Sequence, residues 1–247
     1  MLNTTRTITK GGSILLFTVI LILISSTLGI ADNLLSNTSS KSGLSFEEIE
    51  KIAKMTTVRI NTHGEQFAGS GVIVRKNTIG TRTDYLVLSN AHVIDYKYRK
   101  QCTQLPKERI IEIETYDGTT HTATIHKQSQ NLCTTGDLAL LQFSSDNNQY
   151  EVVQIANSND VQKSEPIYVA GFPCNSHNCR EKISIEKGIV SDNLTEALKY
   201  GYKIGYTAKT KVGTSGGSLL SEQSGKLIGI HSRGQINGTD TDRKSVV

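Results

Sequence analysis

The stretch KVGTSGGSLL, residues 211–220, sets Gly213, Gly216 and Gly217 around a single hydroxyl, that of Ser215. Glycine gives up more conformational freedom on folding than any other residue, so three of them beside one serine need a reason. Alone, such a cluster reads equally well as a surface turn. Two other stretches decide between the readings: LSNAHV at residues 88–93 and GDLALL at residues 136–141.

A serine hydroxyl is a weak nucleophile at neutral pH and needs a base to take its proton. Histidine titrates near neutrality and suits that task, provided a carboxylate fixes its tautomer. His92 follows an apolar strand at a turn, Asn90-Ala91-His92, and Asp137 heads the strand DLALLQF. Singly, each has an ordinary structural reading, as a residue after a strand and as a turn-capping carboxylate. Together with Ser215 they supply base, carboxylate and nucleophile.

The surrounding pattern is mostly strand. Short alternating runs are expected at residues 57–61, 70–75, 85–89, 109–116, 120–126 and 138–143. A second set is expected at 152–155, 166–171, 183–191, 203–207, 218–221 and 226–232. Asp117-Gly118 is a two-residue hairpin signal between the fourth and fifth. Ser45 opens SFEE, a capping-box pattern for a short helix to about Lys54. The fold class is therefore all-β, two six-stranded antiparallel barrels. The first spans residues 45–146, the second 147–247, and the polar SSDNNQ at 144–149 marks the boundary.

LSNAHV, GDLALL and GTSGGSLL, in this order, resemble the chymotrypsin-fold, trypsin-like serine proteases, whose triad runs His, Asp, Ser. VAGFP at residues 169–173 is most similar to the bacterial trypsin-like peptidases. The resemblance implies a serine endopeptidase acting on polypeptides without a cofactor. His92 becomes general base and acid, Asp137 the orienting carboxylate and Ser215 the nucleophile. The N–H groups of Gly213 and Ser215 become the oxyanion hole. GIHSRG, residues 229–234, matches the strand beside the primary specificity pocket, with Ser232 and Gly234 at substrate-contacting positions. Lys209 occupies the place where trypsins carry an aspartate. Thr210 and His231 match the pair that glutamyl endopeptidases set around an acidic side chain, which implies a preference for Glu or Asp before the scissile bond. The alternative is a catalytically silent barrel that holds a partner. It draws on the short tail QINGTDTDRKSVV, which leaves the second barrel either incomplete or closed by a minimal strand.

Residues 1–31 carry Arg6 and Lys10, an apolar run at 14–24 and a small-residue exit, the pattern of a secretory signal peptide cleaved after Gly29 or Ala31. The run falls short of the roughly twenty residues a spanning helix needs. Residues 32–44 read as a flexible lead-in. Removing the leader takes the formal charge from +4 to +2, too small an excess to predict nucleic-acid or membrane binding. Four cysteines, Cys102, Cys133, Cys174 and Cys179, fit disulfides in an exported protein, with three pairings open. One bridge in each half would join Cys102 to Cys133 and Cys174 to Cys179. Cys174, His177 and Cys179 lack a second ligand pair, so no metal site is expected.

Overall fold

The computed structural model describes residues 43–62, 69–94, 110–146, 149–174, 182–233 and 243–246. The expected signal peptide, most of the lead-in, Cys102, Cys179 and Gly234 lie outside them. Helix α1 (Phe46–Thr56) begins as its sequence predicts: the Ser45 hydroxyl accepts the Glu48 N–H while the Glu48 carboxylate accepts the Ser45 N–H. Ile49 and Ala53, one helical turn apart, are its buried face. They pack beside Tyr168, Leu220 and Leu227.

The first barrel contains β1 (Thr57–Thr62), β2 (Gly69–Ile79), β3 (Arg82–Ser89), β4 (Ile111–Glu114), β5 (Thr120–Ile125) and β6 (Ala139–Ser145). It closes in the order β1-β2-β3-β6-β5-β4, every pair antiparallel. Alternation along β3 turns Thr83, Tyr85, Val87 and Ser89 inward. Tyr85 stacks on Phe143 with ring centroids 4.9 Å apart, among Ile60, Ile113 and Leu141. The second barrel contains β7 (Pro166–Gly171), β8 (Ser184–Asn193), β9 (Tyr202–Tyr206), β10 (Ser218–Ser221), β11 (Leu227–Arg233) and β12 (Arg243–Val246). Its core includes Ile167, Val169, Ile204, Tyr206, Leu219 and Ile228. A further apolar cluster draws on both barrels, including Val72 and Leu138 from the first and Tyr202 and Ile230 from the second.

Of the two alternatives for the second barrel, the minimal closing strand is the one found, and two further expectations need correction. The minimal strand β12 pairs with β11 on one side and β9 on the other, and the sheet closes as β10-β11-β12-β9-β8-β7. A four-residue strand suffices because closure satisfies both neighbours' exposed edges at once. Residues 152–155 are not one of its strands. Their backbone is divided between the two barrels: Val153 N–H donates to the Ile73 carbonyl, and Gln154 and Leu227 bond across to each other's neighbourhood through Leu227 N–H to Gln154 O and Ala156 N–H to Leu227 O. This connecting segment is stitched to both barrels. Finally, Asp117-Gly118 sits in a longer loop than a two-residue turn, between β4 ending at Glu114 and β5 starting at Thr120. Only Gly118 has positive φ, at 78°. Asp117 contributes its carboxylate instead, accepting from Thr115 Oγ1 and the Thr119 N–H.

Candidate active site

The register of β3 against β6 places Ser89 opposite Ala139, so residues just past the end of β3 meet those just before β6 at one barrel rim. That brings His92, on the single-turn helix α2 (Ala91–Ile94), to Asp137. The His92 N–H donates to Asp137 Oδ1 at 3.0 Å, and His92 Nδ1 lies 2.6 Å from Asp137 Oδ2. A carboxylate partner makes Nδ1 the donor, which leaves Nε2 as the basic nitrogen. The Asn90 amide donates to the Asp137 carbonyl at 2.9 Å, tying the turn before His92 to the same residue.

Asp137 is fully buried, and two hydroxyls from the other barrel also reach it. Ser232 Oγ donates to Asp137 Oδ2 at 3.0 Å and Tyr202 donates to the same oxygen at 3.3 Å. Burying a carboxylate is costly unless its oxygens are hydrogen-bonded. Here two backbone-anchored elements of the second barrel help to meet that demand. The Asp137 N–H donates to the Tyr200 carbonyl, a further link between the barrels.

The register of β10 on β11, Ser218 opposite Ile230, puts Ser215 and Ser232 at the same rim of the second barrel. Ser215 Oγ donates to the Ser232 carbonyl at 3.1 Å. Ser232 therefore touches both halves of the arrangement, its hydroxyl on Asp137 and its carbonyl on Ser215. The Ser215 carbonyl in turn accepts the Ser70 N–H at 2.8 Å. Among the described residues no hydrogen bond joins Ser215 Oγ to His92; a rotation about its Cα–Cβ bond is the movement that remains.

The glycines of KVGTSGGSLL now have a use. Gly213 has φ +89° and Gly216 φ +86°, both left-handed. A Cβ on Gly216 would stand 2.0 Å from the Ser70 carbonyl oxygen, so backbone of the first barrel occupies its place. The N–H groups of Gly213 and Ser215 donate to no described residue, whereas Thr214, Gly216 and Gly217 N–H are bonded within the barrel. Two unspent donors beside one serine hydroxyl suit an oxyanion.

Residues 69–230 match the family described as the trypsin-like peptidase domain. The chain belongs to the trypsin-like peptidase family. None of the curated proteins matches it.

In this trypsin-like peptidase the two residues that the resemblance matched to a specificity pair have distinct surroundings. Thr210 is half-buried between the exposed Lys209 and Lys211. His231 is buried, with Nδ1 hydrogen-bonded to the Tyr206 hydroxyl and its backbone paired to Gly216 and Gly217. Ser232, which the resemblance placed among the substrate contacts, has its side chain buried on Asp137 and its carbonyl accepting from Ser215 Oγ. Cys133 and Cys174 are buried, and no free cysteine is found among the described residues. No group of metal-ligating side chains is found there either. Sequence reading missed Tyr202, Asn90 and Ser70. Asn90 lies inside LSNAHV and was legible only as a turn residue, while nothing in the linear sequence connects Tyr202 or Ser70 to the site.

Proposed function

We propose that the protein is an exported serine endopeptidase that cleaves polypeptides through an acyl-enzyme. One observation carries this reading: His92 is bonded to Asp137 through Nδ1, and Ser232 bridges Asp137 to Ser215 beside two unspent N–H donors. In the first step Ser215 Oγ attacks the scissile carbonyl carbon while His92 Nε2 takes the hydroxyl proton. The carbonyl oxygen becomes an oxyanion held by the Gly213 and Ser215 N–H groups. His92 then gives its proton to the leaving amine, and water repeats the sequence on the acyl-enzyme. Side chains change rotamer far faster than an enzyme turns over, so the resting bond from Ser215 to Ser232 is no barrier. The catalytically silent alternative drew on an unfinished second barrel, and β12 removes that support.

The test is reaction of the protein, expressed without residues 1–31, with a fluorophosphonate probe. Labelling is expected in the native protein and absent from Ser215→Ala and His92→Ala. Folded native protein that stays unlabelled would overturn the reading.

The finer proposal is a preference for Glu, and secondarily Asp, before the scissile bond. It is supported by Thr210 beside two lysines and by a buried His231 whose ring Tyr206 fixes through Nδ1, so that it would meet a carboxylate through Nε2. Across peptides differing only at that residue, kcat/KM is expected to be highest for Glu; equal rates for Glu, Leu and Lys would sink the preference.

Export rests on the leader pattern of residues 1–31, with disulfides Cys102–Cys133 and Cys174–Cys179 belonging to the same proposal. Among the described residues no helix is long and apolar enough to cross a membrane. Mass analysis of the mature protein, reduced and unreduced, reads both the cleavage site and the pairing.

A further inference from the structure

We propose that Ser70, on β2 of the first barrel, is a positioning residue that holds the oxyanion turn of the second barrel in its active form. The proposal rests on the endopeptidase reading and goes beyond it, since Ser70 touches neither substrate nor triad side chains.

Ser70 is fully buried, and its N–H and its hydroxyl both reach the turn. Its N–H donates to the Ser215 carbonyl at 2.8 Å, and its carbonyl accepts Ser89 Oγ at 2.7 Å. Its hydroxyl donates to the Gly213 carbonyl at 2.9 Å and accepts the Phe172 N–H at 2.8 Å. A serine hydroxyl has one hydrogen to give and lone pairs to receive with, and both capacities are used here.

These partners control the direction of the Gly213 N–H. That N–H belongs to the peptide plane between Val212 and Gly213, whose carbonyl end accepts the Cys174 N–H at 2.8 Å. The next plane, between Gly213 and Thr214, is held at its carbonyl end by the Ser70 hydroxyl. Both planes therefore have their oxygens anchored away from the cleft. The segment 172–174 that supplies the Cys174 N–H is itself located by Ser70 through Phe172. It lies directly on the turn: a Cβ on Gly213 would be 2.6 Å from both Cys174 N and Phe172 O.

Anchoring is needed because glycine imposes little preference of its own on a peptide plane. A plane turned over would aim a carbonyl at the developing oxyanion and withdraw its donor. Ser70→Ala removes the donor from Gly213 O and the acceptor from Phe172 N–H together, while leaving the backbone bond to Ser215 in place.

The experiment compares native protein, Ser70→Ala and Ser70→Thr on a peptide substrate and on a peptide aldehyde of the same sequence, whose hemiacetal oxygen occupies the oxyanion hole. Rates are taken per folded molecule, with folding judged by circular dichroism. Ser70→Ala is expected to lower kcat about 100-fold, the lower end of the effect of losing one oxyanion donor, with KM changed less than about twofold. The aldehyde should weaken by a similar factor, and Ser70→Thr should recover most of the loss. Unchanged kcat in folded Ser70→Ala, or a kcat loss with undiminished aldehyde binding, overturns the proposal. Should Ser70→Ala fail to fold, the same two ratios are read on Ser70→Cys, whose thiol is a weaker donor. Native protein inactive toward both substrate and fluorophosphonate would instead remove the endopeptidase reading itself.

Discussion

Asp137→Asn is expected to lower kcat/KM roughly ten-thousandfold while the protein still folds. The carboxylate receives His92 Nδ1 at 2.6 Å and the His92 N–H at 3.0 Å, so it sets both the ring's orientation and its tautomer. An amide has the same shape but presents a nitrogen donor on one side. If that NH2 faces His92, Nδ1 must become an acceptor, and the proton moves to Nε2, where a base is needed. If the amide turns over, its NH2 instead meets the His92 N–H, donor against donor. Ser232 and Tyr202 donate to the same oxygen as His92 Nδ1 does; where the NH2 takes that place, their hydroxyls can rotate to accept from it, so the local packing should survive. Steady-state kinetics beside thermal unfolding checks this: loss of activity with a nearly native Tm is expected, and an Asn variant within tenfold of native would show that Asp137 is not the orienting group.

Gly216→Ala is expected to be the most damaging single methyl group at any of the described glycines. The residue has φ +86°, which costs an L side chain about 1–2 kcal/mol, and its Cβ would lie 2.0 Å from Ser70 O and 2.4 Å from Ser89 Oγ. Overpacking of that kind adds about 1–3 kcal/mol when the neighbours can move. Here they are the backbone of β2 and a buried hydroxyl that donates to it. A fall in Tm of roughly 10 °C follows for a domain of this size. Gly118→Ala is the control, since it has φ +78° with nothing within 4 Å of its Cβ and should show the backbone cost alone. Similar Tm values for the two variants would mean that the turn relaxes away from the first barrel.

The barrel strands were largely legible because strands buried on one face must alternate, and β3 does so from Thr83 to Ser89. The membership of the second barrel was not. Residues 152–155 look like a strand by composition, yet their hydrogen bonds go to Ile73 in one barrel and Leu227 in the other. The true sixth strand, β12, lies in a polar tail with no alternation to announce it. Short edge-filling strands are held by their neighbours' unpaired backbone, a property of the sheet that leaves little trace in the segment itself.

By itself, the sequence determined the chemistry on offer: His92, Asp137 and Ser215 in order, a turn rich in glycine, and strands enough for two barrels. Local patterns carry that information because a turn, a cap or an alternating face depends on residues a few positions apart. The tertiary structure alone decided what those groups face. Ser232 serves Asp137 through its hydroxyl, Tyr202 joins it, and Ser70 reaches from one barrel to the glycine-rich turn of the other. Each of these bonds joins residues remote in the chain, and each exists because strand register and the meeting of two closed sheets bring their rims together, which no short window of sequence encodes.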